Sequence, residues 1–229
     1  MEENMKARLI SYSQLHADTF IEEADEETVN VQDLIAYCAR VSNPSNQMNK
    51  ETAEKLIRYL IREQHWSPLE MVSACVEVET TRDIARQLLR HRSFSFQEFS
   101  QRYANPLEDL SFVLRDARLQ DQKNRQNSIE TDDQDLKEKW IRKQKAVINA
   151  SRDAYSWAVE NGIAKEQARV VLPEGNTVSR LYVNGTLRSW IHYIELRSGH
   201  GTQLEHIELA RAIGQTIAEV FPMAEEFIN

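Results

Sequence analysis

A chain of 229 residues, 41% hydrophobic and 28% charged, has the composition of an ordinary globular protein and can bury a core without staples. Its formal net charge of −8 and pI near 5.4 argue against a nucleic-acid-binding module, which would be basic. No apolar run of eighteen is present, MEENMKARLI reads as neither a secretory leader nor a transit peptide, and two cysteines make no disulfide framework, so a cytoplasmic protein is expected.

In chain order, residues 6–13 (KARLISYS) alternate loosely, as an edge strand would. Residues 32–40 repeat apolar side chains at Leu34, Ile35, Tyr37 and Cys38, which suits a short helix. Ser42 follows, a cap or turn hydroxyl before Asn43-Pro44. From Lys50 to Glu63, Ala53, Leu56, Ile57, Leu60 and Ile61 mark an amphipathic helix. Pro68 then signals a new start with Ser67 placed as its N-cap, and His65 beside Trp66 reads first as a packed structural residue. Residues 71–79 (MVSACVEVE) alternate Val72, Ala74, Val76 and Val78 against polar partners, the clearest strand in the chain. Cys38 and Cys75 have no CxxC or histidine spacing and no flanking cations to activate a thiolate, so both are expected as small buried hydrophobes, with no metal site.

Residues 82–103 (RDIARQLLRHRSFSFQEFSQRY) gather Arg82, Arg86, Arg90, Arg92 and Arg102 on this acidic chain. The first half is predicted as a helix with Arg82, Arg86 and Arg90 on one stripe. After Arg92 the period changes, and Phe94, Phe96 and Phe99 are expected to pin a loop into the core while Ser93, Ser95, Gln97, Glu98 and Ser100 face outward. Such arginines can simply complement a helix dipole or solvate a face. Guanidinium forks beside a hydroxyl are also the donors a phosphate monoester requires, and a glutamate among them can accept from a ribose hydroxyl or ring N–H. The combination favours an anionic nucleotide.

Residues 107–138 begin with apolar alternation and turn polar, and the tract near 119–133 reads as an exposed loop or helix edge without assigned function. Helical period resumes from Trp140 to Asn161, where Asn161-Gly162 stops it. Arg169 precedes Val170-Val171-Leu172-Pro173 and taken alone is a surface residue. Thr177 to Val183 alternates as a strand, punctuated by Asn184-Gly185. Thr186 to Arg197 is a helix that turns Leu187, Trp190, Ile191 and Ile194 inward and sets Arg188, His192 and Glu195 on another face, solvated by default. Gln203 to Phe227 is helical with Pro222 as its break.

Arg90-His91-Arg92, seven residues, then Ser100, with Glu98 between and Arg102-Tyr103 after, is similar to the signature of the flavin-dependent thymidylate synthases, the thymidylate synthase-complementing family. Gln97 stands where that family usually carries Asn. The segment CARVS at 38–42 resembles its AARVS-like element, His65-Trp66-Ser67-Pro68-Leu69-Glu70 its His-x-Ser/Thr-Pro-x-Glu segment, and Gln203-Leu204-Glu205 its Ala-Gln-x-Glu element. The resemblance runs in patches from about residue 40 to 220.

The resemblance implies an α+β fold in a single catalytic domain over residues 1–229, with a small, mainly antiparallel sheet packed with helices and a polar insertion at about 119–133. The mixed pattern and the lack of GxGxxG agree with it. It further implies reductive methylation of dUMP to dTMP, with 5,10-methylenetetrahydrofolate as carbon donor and NADPH-reduced FAD as hydride source, in a homotetramer with active sites shared between subunits. The residues matched to dUMP are Gln87, Leu88, Leu89, Arg90, Glu98, Phe99, Ser100, Gln101, Arg102, Arg169 and Arg197. Those matched to FAD are Ser42, His65, Ser67, Arg90, His91, Arg92, Gln97, Glu98, Thr186, Leu187, Arg188 and His192. Arg197 is the catalytic candidate, stabilising negative charge on the pyrimidine so that C5 becomes nucleophilic without a cysteine adduct. A nucleic-acid module built on the arginine helix would instead show salt-sensitive, sequence-independent binding. A catalytically silent scaffold of the same fold would lack one of the site arginines, and none is missing.

Overall fold

The alternation of β2 (Ser73–Thr81) organises the sheet: Ala74, Val76 and Val78 are buried, while Cys75, Glu77 and Glu79 face a half-exposed side. The computed structural model describes residues 5–16 and 30–229, so part of the leader reading, on residues 1–4, lies outside the described residues. Strand β2 pairs antiparallel with β1 (Lys6–Tyr12) on one side and with β6 (Val178–Thr186) on the other. A fourth strand, β3 (Ser95–Glu98), closes the order β1-β2-β6-β3, again antiparallel.

The strand read at 71–79 runs from Ser73 to Thr81, and two larger differences from the sequence reading have a packing cause. Residues 95–98, expected as loop, form β3, because Phe94 and Phe96 turn inward at a spacing of two while Ser95 and Gln97 stay exposed. Strand β6 does not stop at Asn184-Gly185 but runs to Thr186, because the Phe94 ring occupies the space over Gly185: a Cβ there would meet Phe94 Cδ1 at 2.3 Å. That glycine marks a close approach, not a turn.

Helices cover the apolar face. α7 (Leu187–Ser198) leaves β6 directly, with the Thr186 hydroxyl accepting from Ser189 N at 3.3 Å, and the Trp190 indole N–H donates to Ala74 O at 3.0 Å. α8 (Leu204–Ala218) packs beside it, and Leu209, Ile213 and Ile217 join Val76, Val78, Leu181, Val183 and Ile194 in one core. α1 (Val31–Ala39), closed by an Asn30/Asp33 capping box, and α2 (Ala53–Arg62) supply Ile35 and Ile57 to it. α3 (Arg82–Leu88) follows β2 without a loop. Ser67 is not a helix cap: it opens the short 3-10 turn Ser67–Glu70, and its side chain makes no capping bond.

The polar tract is also ordered. After the single turn α4 (Pro106–Asp109), β4 (Arg118–Gln120) and β5 (Ser128–Glu130) form a two-stranded hairpin, so the tract is neither loop nor helix edge. Asp121 closes its turn by accepting from Lys123 N and Asn124 N, a local side-chain device that periodicity does not report. α5 (Gln134–Glu160) begins six residues before Trp140 because the Asp133 side chain caps it, accepting from Leu136 N at 3.0 Å. Asn161 ends it as expected, with Gly162 at φ 78°. Its Tyr155 and Ala158 make a second apolar cluster with Ala168, the last residue of α6 (Lys165–Ala168), and Leu172, which follows the 3-10 turn Arg169–Val171. Cys38 and Cys75 are half-buried rather than fully buried, and desolvation pushes both thiols up, away from thiolate chemistry. No described helix is long and apolar enough to cross a membrane.

Candidate functional site

The structure divides the arginines of the 82–103 segment by whether a carboxylate neutralises them. Arg82, only 7% exposed, bonds Glu174 through Nε at 3.1 Å and lies 3.6 Å from Glu98. Arg86 reaches the other Glu98 oxygen at 3.0 Å, and Ser179 donates to Glu98 at 3.0 Å. These two arginines are structural ion-pair members, and helix α3 ends before Arg90. Arg90 and Arg92 are exposed, and among the described residues no carboxylate lies within ion-pair distance of either.

Beside them stands His91, whose Nε2 accepts from Arg197 Nε at 3.0 Å. Burial first, and then the Arg197 charge, lower the His91 pKa to about 4, so the imidazole is neutral near pH 7 and carries its proton on Nδ1. Arg197, near the end of α7, therefore has a neutral partner and no ion-pair carboxylate among the described residues. His91 also meets Tyr193 edge-on at 5.0 Å between ring centroids, and Phe94 meets Trp190 at 4.4 Å. Aromatic packing thus holds the turn 89–94 against α7. Gln87, on α3, spends one amide hydrogen on Gln203 Oε1 at 2.9 Å, and its carbonyl faces His206 Nδ1 at 3.2 Å.

A second group forms where the chain leaves β3. Arg102 pairs with Glu166 at 3.1 Å, Arg169 Nε donates to Glu166 O at 3.4 Å, and Lys165 Nζ donates to Tyr103 O at 2.9 Å. Ser100 is exposed at the same turn, whereas Gln101 is 3% exposed with its side-chain N–H group buried and unpartnered. Its free N–H is thus available to an acceptor brought to this turn.

A third group faces the turn Ser67–Glu70. Arg188 pairs with Glu70, His192 packs edge-on against Trp66 at 4.3 Å, and His65 is exposed beside Tyr59. The Thr186 hydroxyl is taken by its cap. Ser42 stands apart, lining an open cleft of about 520 Å³ with Arg40, Lys55 and Tyr59. Leu88 and Leu187 are 0% and 1% exposed, so their side chains belong to the core and only their backbone can meet a ligand. Leu89 and Phe99 are half-buried, and Gln97 is exposed on β3.

Direct contacts join His91 to Arg197 and Ser100 to Arg102, and Arg102 and Arg169 meet through Glu166, but no hydrogen bond or ion pair among the described residues joins Arg90 or Arg197 to Arg102 or Arg169. Sequence reasoning missed Tyr193 and His206 as polar participants: both sit at core positions of apolar helices, where periodicity records burial but not bonding.

The sequence profile described as thymidylate synthase complementing protein matches residues 26–223. The chain is 50% identical over 197 residues to the probable flavin-dependent thymidylate synthase of Paramecium bursaria Chlorella virus 1, covering 86% of this chain and 90% of that one. It is 48% identical over 198 residues to the flavin-dependent thymidylate synthase of Synechocystis sp., covering 86% and 89%. Among solved structures, the UMP/dUMP methylase PolB from Streptomyces cacaoi, bound with 5-Br dUMP, superposes with a TM-score of 0.79 at 25% identity over 97% of this chain and 93% of that one.

Proposed function

Because this chain belongs to the thymidylate synthase complementing protein family, we propose that it is a flavin-dependent thymidylate synthase converting dUMP to dTMP. The carbon comes from 5,10-methylenetetrahydrofolate and the hydride from FAD reduced by NADPH. The observation that carries this reading is the set Arg90, Arg92 and Arg197: guanidinium groups with no ion-pair carboxylate among the described residues, on a protein of net charge −8. Isolated cations of this kind await an anion.

The residues present fit both ligands. Gln101 offers a buried donor lacking an acceptor, and Arg169 bonds a backbone carbonyl and no carboxylate among the described residues, so with Arg90, Arg102 and Ser100 they supply the donors of a phosphate cradle. Gln87 and Glu98 orient the nucleoside, with Leu89, Phe99 and the backbone of Leu88 beside it. Ser42, His65, Ser67, His91, Arg92, Gln97, Arg188, His192 and the 186–187 backbone are the groups for a flavin, joined by Arg90 and Glu98. When bound, the flavin supplies the hydride chemistry, and the chain supplies orientation and field. Arg197 places positive charge where the pyrimidine becomes electron-rich, and neutral His91 fixes its Nε without diluting that charge. Each 229-residue chain acts as one catalytic domain in a cytoplasmic homotetramer whose subunits complete one another's sites. Support for this comes from the candidate groups sharing no hydrogen bond or ion pair between Arg90 or Arg197 and Arg102 or Arg169 among the described residues.

Purified protein should be yellow, lose colour with NADPH when dUMP is present, and form dTMP on addition of methylenetetrahydrofolate; UMP serves as the parallel substrate. Arg197→Ala should bind flavin yet lose roughly a hundredfold or more of turnover. Full turnover in that variant with reduced flavin would show the catalytic role to be wrong.

A further inference from the structure

An unbroken file of hydrogen bonds runs through buried and half-buried ground between α3, α7 and α8. Tyr193 OH lies 3.1 Å from His206 Nε2, and His206 Nδ1 lies 3.2 Å from Gln87 Oε1. Gln87 Nε2 donates to Gln203 Oε1 at 2.9 Å, Gln203 Nε2 donates to Glu205 Oε2 at 2.9 Å, and Arg118 Nη2 reaches Glu205 Oε1 at 2.6 Å. Tyr193, His206 and Glu205 are 1%, 0% and 7% exposed, so both ends of the file are shielded from water, while Gln87 and Gln203 between them are half-buried.

The direction of the file is set from one end. Burial alone would raise the Glu205 pKa, but the Gln203 amide, a backbone N–H and the charges of Arg115 and Arg118 together hold it below the usual range. An ionised carboxylate only accepts. Gln203 must therefore turn its NH₂ to Glu205 and its carbonyl to Gln87. Gln87 then turns its NH₂ to Gln203 and its carbonyl to His206, which must carry its proton on Nδ1 and accept from Tyr193 through Nε2. Burial, followed by the charges of Arg197 and His91, lowers the His206 pKa to about 3, so no second ring proton disturbs the order. Gln87 is left with one free N–H and one free carbonyl lone pair in a fixed arrangement.

We infer that Arg118, Glu205 and Gln203 are positioning residues that dictate the amide orientation of Gln87, and so the donor–acceptor face it offers to the nucleoside, while the His206 tautomer, with Tyr193 donating to it, follows from that orientation. The inference rests on the functional reading above for the role of Gln87 at the nucleoside. It also gives the polar tract a purpose: its hairpin carries Arg118, which anchors the carboxylate end.

The test is ¹⁵N spectroscopy of histidine-labelled protein, with the His206 signal assigned by its loss in His206→Asn, alongside titrations of dUMP and flavin. The native protein should show His206 as the Nδ1–H tautomer from pH 5 to 8. Glu205→Gln, whose amide can face either way, should mix the tautomers and weaken dUMP binding roughly tenfold, about the worth of one hydrogen bond, while leaving flavin affinity unchanged. Arg118→Met should act in the same direction and serves if Glu205→Gln does not fold. Tyr193→Phe should keep the Nδ1–H tautomer, because direction comes from the opposite end. An Nε2–H tautomer in the native protein, or native tautomer and dUMP affinity in both Glu205→Gln and Arg118→Met, overturns the inference. A native protein that binds no dUMP defeats the functional reading instead, and the tautomer still decides the file.

Discussion

Phe94 lies so close over Gly185 that a Cβ there would stand 2.3 Å from its Cδ1 and 2.6 Å from its Cε1. The ring cannot retreat freely, since it is buried against Trp190 at 4.4 Å. This contact seats the turn bearing Arg90, His91 and Arg92 on the sheet. Gly185→Ala should cost about 1–3 kcal/mol through overpacking, and Phe94→Ala about 3–5 kcal/mol through the cavity left behind. Denaturant unfolding should find the double variant markedly less destabilised than the sum of the two. Strict additivity would mean that the ring is not what excludes a side chain at 185.

Arg82 and Arg86 contact the same two glutamates, yet only Arg82 is buried. Arg82→Met should destabilise by roughly 1–3 kcal/mol, since it removes a buried guanidinium bonded to Glu174 and close to Glu98. Arg86→Ala should change stability by about 1 kcal/mol or less, because an exposed pair is screened. Equal losses in the two variants would contradict the division drawn here.

Glu166 pairs with Arg102 at 3.1 Å. If Arg102 is a phosphate arm, that carboxylate competes with substrate. Glu166→Gln should therefore lower KM for dUMP several-fold with little change in kcat, and the gain should shrink in high salt. A raised KM would make Glu166 an organiser of the arm rather than its competitor.

His91 and His206 have pKa values lowered to about 4 and about 3, so the unfolded chain, near 6.5, binds protons more tightly than the fold does. Their contribution to stability is complete above the unfolded value. It is lost as pH falls from about 6.5 through the two folded values. Asp83 and Glu205, both held low against burial by arginines and local hydrogen bonds, add losses in the carboxylate range below that. Unfolding free energy should decline on acidification from pH 6.5, and His91→Asn should flatten the slope between pH 6.5 and 4. An unchanged slope would show that His91 titrates normally in the fold.

Local chemistry made much of the chain legible from its letters. The period of two in β2, the inward face of α7 and the stop at Asn161-Gly162 each depend on neighbours within a turn or a pleat, and the Arg90-to-Tyr103 spacing carried the family. What no local pattern could state is which charges stay free. Arg82, Arg86 and Arg188 look as available as Arg90 and Arg197 until the fold brings Glu174, Glu98 and Glu70 against them from distant segments. Hydropathy likewise marks His206 and Tyr193 as interior without saying that they bond each other and Gln87. Apolar periodicity reports whether a side chain leaves water; ion pairing and hydrogen bonding depend on distances of about 3 Å between atoms far apart in sequence, and only tertiary packing sets those.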